Sequence, residues 1–185
     1  MSLGHLWAGW RNEYVARVTT VDLPDGSSVD RPDGSSVDST AHRSSCVFCR
    51  IGASGTPSPE NGILWVGEAT FAVLNAYPYT TGHLMVLPLR HVAALGEVTD
   101  QEGSELWSAL RCGVEALERA YGPEGINLGA NLGQAAGAGI PRHLHLHAVP
   151  RWVGDTNFMT AVAGTRVLSE ALTVTWQRLV DAWPR

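Results

Sequence analysis

The chain predicts an α+β fold, an antiparallel sheet of about five short strands with a long central helix and a C-terminal helix. Two observations carry that expectation. Short apolar runs are separated by turn residues in the middle and again near the end of the chain, and a helix-capping signature followed by apolar residues at helical spacing lies between them. The order strands, helix, strands, helix gives an α+β domain built on an antiparallel sheet.

Ile63 to Val66 and Phe71 to Leu74 read as the first two strands, joined at the turn Gly67-Glu68. Leu84-Met85-Val86-Leu87-Pro88 reads as a third strand buried on both faces, and proline ends it because it has no N–H for a ladder. Thr99-Asp100-Gln101-Glu102 is a capping box: the threonine hydroxyl can accept from the helix start while the glutamate reaches back. Leu106, Leu110, Val114 and Leu117, joined by Trp107 and Tyr121, then repeat at helical spacing as a core face, and Gly122-Pro123 stops the helix. Ile126 to Asn131 and His143 to Val149 read as two more strands around the small-residue loop Gly133 to Pro141. Leu168, Leu172, Trp176, Leu179 and Trp183 mark the C-terminal amphipathic helix.

Residues 1–45 read differently. An aromatic-rich arm, Leu6 to Val15, precedes a tandem octapeptide, Pro24 to Arg31 and Pro32 to Ser39. Its Pro-Asp-Gly turns and polar composition cannot bury a core, so the segment is expected to be a flexible linker. The expected organisation is an arm and linker over 1–45, a catalytic domain over 46–160, and a C-terminal helix over 161–185 packed on that domain.

Composition narrows the function. A formal net charge of −5, with no cluster of Lys and Arg, argues against nucleic-acid binding, since phosphate backbones are held by such clusters. No stretch approaches the ~20 apolar residues that span a bilayer, and the N-terminus lacks the pattern of a secretory signal. A cytoplasmic protein is expected. Its three cysteines do not make a disulfide framework, and Cys46-Val47-Phe48-Cys49 points to metal or redox chemistry.

The densest signal is His143-Leu144-His145-Leu146-His147. On a strand, alternation would put all three imidazoles on one face, about 6.6 Å apart in succession, which is the scale of a phosphate with its bridging oxygens. Histidine suits phosphoryl work because much of it is neutral near pH 7. One ring can attack phosphorus while a neighbour donates hydrogen bonds to oxygens. The competing uses of such a row are a metal site without catalysis and a histidine-rich surface strand.

With these residues in view, the chain resembles the histidine-triad (HIT) superfamily, whose motif is three histidines alternating with apolar residues. The likeness covers Cys46 to about Met159. It is strongest to the bacterial branch that includes diadenosine polyphosphate hydrolases and phosphorylases, on Leu74-Asn75, Gly82-His83, Asn131-Leu132-Gly133, Ala136 to Gly139 and Pro150 to Met159. The resemblance implies that His145 is the nucleophile, that His147 binds and polarises the phosphate, and that His83 supports the active-site hydrogen bonds. Asn75 would hold the ribose hydroxyls, and Asn131 would lie near the phosphates. Both asparagines also suit plain turn capping.

The chain departs from the family where many members carry Gln or Ser shortly before the first histidine: here stands Gly139-Ile140-Pro141-Arg142. Gln134, Arg142 and the N–H groups of the loop around Gly139 are the candidates for that leaving-group contact. For the Cys-x-x-Cys pair, the resemblance implies structural zinc held by Cys46, Cys49, His91 and His143. A redox role lacks the thioredoxin-like context.

The implied activity is nucleotidyl transfer from a dinucleoside polyphosphate to water or inorganic phosphate, through a nucleotidyl-histidine. A nucleoside phosphoramidase, a nucleotidyl transferase of specialised metabolism, and a nucleotide-binding protein without turnover are the alternatives. A homodimer joined edge to edge is implied too, and an open strand edge is the sequence's own reason for it.

Overall fold

The computed structural model describes residues 45–155 and 170–184. The aromatic arm, the duplicated octapeptide, Leu168 and the stretch Thr156 to Met159 lie outside the described residues. A short helix, α1 (Val47–Gly52), leads into β1 (Ile63–Val66), β2 (Thr70–Leu74) and β3 (Leu84–Pro88). The long helix α2 (Asp100–Tyr121) follows, then β4 (Gly125–Ala130), β5 (Leu146–Arg151) and α3 (Leu172–Ala182). The strands form one sheet in the order β1-β2-β3-β5-β4, antiparallel at every step. This is the α+β architecture expected from the sequence.

Helix α2 starts as its sequence dictates. Thr99 Oγ1 accepts from the Glu102 N–H at 3.2 Å, and Glu102 Oε2 accepts from the Thr99 N–H at 2.9 Å. It ends at Gly122, whose left-handed backbone (φ +53°) donates to the Glu118 carbonyl. Leu106, Leu110 and Leu117 pack on one sheet face against Leu64, Ala72, Leu74, Leu84, Val86 and Ala148, and Leu179 of α3 joins them. Each buried leucine or valine among them contributes about 1.5–3 kcal/mol by leaving water. Trp176 Nε1 donates to the Ile63 carbonyl at 2.7 Å, which docks α3 on β1. Glu105, one turn into α2, accepts from the N–H groups of Glu68 and Ala69 at 2.7 and 2.6 Å and so closes the β1–β2 turn.

Trp107 departs from expectation: it is 58% exposed. It follows Leu106 directly, and one residue turns a helix by about 100°, so the ring swings off the core face. Hydrophobic size alone did not place it. Cys112, also on α2, is half-buried.

The opposite sheet face carries Ile63, Phe71, Val73, Met85 and Leu87, covered by Cys46 and Phe48. This is the face of the histidines. The expected last strand is shorter at its start, since β5 begins at Leu146 and leaves His143 and His145 in the irregular segment before it. The Leu144 N–H donates to the Val92 carbonyl at 2.7 Å, so the backbone there is tied to the segment after β3 and not to β4. Strand β4 pairs only with β5 and is mostly exposed, an open edge among the described residues.

Candidate active site

His147 lies on β5 in register with Met85 of β3 and Gly129 of β4. His145 precedes it. Their ring centroids are 4.9 Å apart and nearly perpendicular, closer than strand spacing alone would give. Both are buried. Nδ1 of His145 lies 2.8 Å from the His143 carbonyl oxygen, which can only accept, so Nδ1 carries the proton and Nε2 keeps its lone pair. Burial holds the His145 pKa below the usual histidine value, against the opposing pull of that carbonyl bond. The arrangement yields a neutral imidazole with a basic Nε2.

His83 fixes the other ring. Gly82 (φ +88°) makes the turn before it, where a side chain would meet Leu117 at 3.0 Å and would strain the backbone besides. Nδ1 of His83 accepts from the Tyr79 N–H at 3.1 Å, so its Nε2–H donates to His147 Nδ1 at 2.9 Å. That leaves the proton of His147 on Nε2. His147 therefore presents a donor while His145 presents a lone pair, a division of labour between identical side chains set by their neighbours. The ring of Tyr79 stacks near both, with centroids 4.6 Å from His83 and 6.1 Å from His147.

A cavity of about 430 Å³ opens beside His147 along β4 and β5, lined by Tyr79, Thr80, Asn127 to Asn131, His147, Val149 and Arg151. Asn131 and His147 are thus on its wall. His145, Asn75, Gln134 and Gly139 are not among the lining residues. Asn75 caps its own turn, accepting from the Tyr77 N–H at 2.9 Å, and its Nδ2 lies 3.4 Å from His83 Nδ1. Gln134 is exposed in a short 3-10 turn, and Gly139 is half-buried. Within that loop the N–H groups of Gly137 and Ala138 are already bonded to the carbonyls of Gln134 and Gly133. Arg142 is exposed. Sequence reasoning passed over Tyr79 and Thr80, and took Arg151 only as part of the stretch Pro150 to Met159. Arg151 is gripped by Asp155 at 2.5 and 2.8 Å and donates to Asn127 at 2.9 Å.

Behind the histidines, Cys46, Cys49, His91 and His143 converge, with one ligand atom from each within 4.8 Å of all the others. Sulfur to Nδ1 separations are 3.4 Å for Cys46 with His143, 3.3 Å for Cys49 with His91 and 3.5 Å for Cys49 with His143. Tetrahedral zinc with ordinary bond lengths sets neighbouring S and N ligands about 3.5 Å apart, so the residues fit the ion. The His143 Nε2–H donates to the Pro88 carbonyl at 2.9 Å, which leaves Nδ1 unprotonated toward the sulfurs. Burial lowers the His143 pKa to about 4, with the Pro88 bond opposing, so the ring is neutral as a ligand must be. Phe48, between the two cysteines, packs edge-on to His143 at 5.6 Å and lies 5.3 Å from His145.

Comparison with known proteins places this geometry in context. The HIT domain model matches residues 60–153. An "AP-4-A phosphorylase" of Mycobacterium tuberculosis (strain H37Rv) is 33% identical over 183 residues, covering 99% of this chain and 86% of that protein. A "Bis(5'-adenosyl)-triphosphatase" of Dictyostelium discoideum is 29% identical over 92 residues, covering 50% of this chain and 61% of that protein. Among solved structures, a Zn-bound histidine triad family protein from Mycobacterium smegmatis superposes with a TM-score of 0.61 at 25% identity, covering 76% of this chain and 94% of that one.

Proposed function

The chain belongs to the HIT family, and from that premise we propose that it transfers a nucleoside monophosphate unit from a dinucleoside polyphosphate to inorganic phosphate. The observation that carries the proposal is the opposite tautomers of His145 and His147, a lone pair beside a donor at a cavity edge. Nε2 of His145 attacks the α-phosphorus. A P–N bond forms, the bond from that phosphorus to the bridging oxygen breaks, and the remaining nucleotide leaves. The His147 Nε2–H stabilises charge on the phosphate oxygens, with His83 holding its ring. Phosphate then attacks the nucleotidyl-histidine, restoring His145 and releasing a nucleoside diphosphate. With diadenosine tetraphosphate the products are ADP and ATP.

Phosphate is preferred to water as acceptor because the phosphorylase from M. tuberculosis aligns with 99% of this chain, whereas the triphosphatase aligns with half of it. Asn131 contacts the phosphates from the cavity wall. Asn75 shares its carboxamide with the ribose, its Oδ1 having a second lone pair beyond the one used by Tyr77. Gln134 and the backbone around Gly139 stand in for the missing Gln or Ser. Incubation of the full chain with diadenosine tetraphosphate, with and without phosphate, tests the reading. ADP and ATP are expected only with phosphate, and His145→Ala is expected to lose at least about 10³-fold in turnover. AMP and ATP irrespective of phosphate would make it a hydrolase, and an unaltered His145→Ala enzyme would sink the nucleophile assignment.

We assign Cys46, Cys49, His91 and His143 to zinc, a fit supported by their spacing and by the His143 tautomer. Bound there, the ion supplies a cross-link and no Lewis acidity to the substrate, since all four positions are filled by protein. Thiolate ligands agree with a cytoplasmic location, where thiols stay reduced. Among the described residues no helix is long and apolar enough to cross a membrane. The open edge of β4 supports a homodimer joined there. A monomer mass in sedimentation at micromolar concentration would overturn it.

A further inference from the structure

We infer that the Arg90–Glu102 ion pair is a positioning clamp for the metal cluster, tying the corner after β3 to the first turn of α2. The inference rests on the zinc reading above. Arg90 stands between Leu89 and the ligand His91. Its Nε and Nη2 each lie 2.8 Å from one oxygen of Glu102, a fork-to-fork pair, and Nη2 also donates to the Glu97 carbonyl at 2.6 Å.

Glu102 has a second duty, since its carboxylate caps the Thr99 N–H. A cap alone would not require burial. Yet this side chain is only 8% exposed, and a carboxylate is withdrawn from water at low cost only where a matched cation meets it. Arg90 is that cation.

The corner itself is a short run of closely spaced links. The Pro88 carbonyl accepts from the His143 Nε2–H, His91 offers Nδ1 to the cluster, and the Val92 carbonyl accepts from the Leu144 N–H. Within five residues the chain orients one ligand, supplies another and holds the segment leading to His145. Arg90 is the side chain of this run that reaches away from the cluster to a long, rigid helix. Without it, the corner would be held to α2 only through its neighbours. Groups that orient metal ligands from outside the coordination sphere typically alter affinity 10–100-fold. Coupling of this kind is reciprocal, so the metal should in turn steady the first turn of α2.

The test is competition of the zinc-loaded full chain with a chromophoric chelator, for wild type, Arg90→Gln, Arg90→Lys and Thr99→Ala. Thr99→Ala weakens the same helix start, removing the hydroxyl's bonds to the Glu102 N–H and to Glu102 Oε2 while leaving both Arg90–Glu102 bonds in place, so it reports what loss of the cap alone does. Arg90→Gln is expected to lose about tenfold or more in zinc affinity. Arg90→Lys keeps the charge but not the fork and should fall between, while Thr99→Ala should hold zinc as wild type does. Should Arg90→Gln fail to fold, hydrogen exchange on the wild-type chain decides: the Glu102 and Gly103 amides should exchange faster once zinc is stripped. Equal affinity of wild type and Arg90→Gln, equal loss in Thr99→Ala, or unchanged exchange overturns the clamp alone. A wild-type chain that takes up no zinc overturns the metal assignment and the clamp together.

Discussion

At the scale of single residues, the site works by making identical side chains unlike. His145 and His147 differ because one Nδ1 faces a carbonyl oxygen and the other faces the Nε2–H of His83. His83→Phe keeps the ring volume and removes the donor, so the His147 proton is no longer fixed on Nε2. Turnover should fall on the order of 10²-fold, the usual weight of a proton-handling group, with nucleotide affinity nearly unchanged in equilibrium titration. Retained turnover would show that His83 is only packing. The spacing His143-Leu144-His145-Leu146-His147 made the triad legible in the sequence. The spacing alone did not tell the three rings apart, which only the family resemblance did, because partners distant in the chain make them differ: His83 is 64 residues from His147, and Cys46 is 97 from His143. The alternation argument also overreached, since two of the three histidines stand before the strand.

At the scale of elements, the capping box and the strands were readable because their signals are local. Thr99 and Glu102 sit one turn apart, and the apolar runs mark β1, β2 and β3 to within a residue. Helix α1 was not, being six residues long and too short for a periodic signal. Nor was the Arg90–Glu102 pair, which joins a corner to a helix through tertiary contact. That pair gives α2 a defined pH response. The bonds from Arg90, and then from Thr99, lower the Glu102 pKa from 4.5 to about 2, with desolvation opposing. A depressed folded-state pKa means that the unfolded chain binds the proton first, so the contribution is complete above pH ~4.5 and is lost as pH falls toward ~2. Glu102→Gln should therefore be less stable than wild type at neutral pH, and the gap should narrow through pH 4.5 to 2 in denaturant melts. A gap constant over that range would show that the ionised carboxylate is not what stabilises the start of α2.

At the scale of the whole molecule, the four-residue cluster joins parts of the chain that the sheet alone does not hold. Helix α1 contacts the domain through Cys46, Phe48 and their neighbours on one sheet face, and 94 residues separate Cys49 from His143. A link across so long a loop removes much freedom from the unfolded chain, about 4 to 5 kcal/mol by analogy with a covalent cross-link of that span. For a chain of this size each kcal/mol moves the melting temperature by about 2–4 °C. Stripping zinc should then lower it by roughly ten degrees, and Cys46→Ser should reproduce much of that loss without a chelator. The two effects should not add, because both remove the same link. Phe48 sits between Cys46 and Cys49 and against His145, so the loosened state should also expose the surroundings of this proposed nucleophile to water. Coincident melting curves with and without chelator, on protein shown to have carried zinc, would mean that the sheet and α2 hold the site unaided.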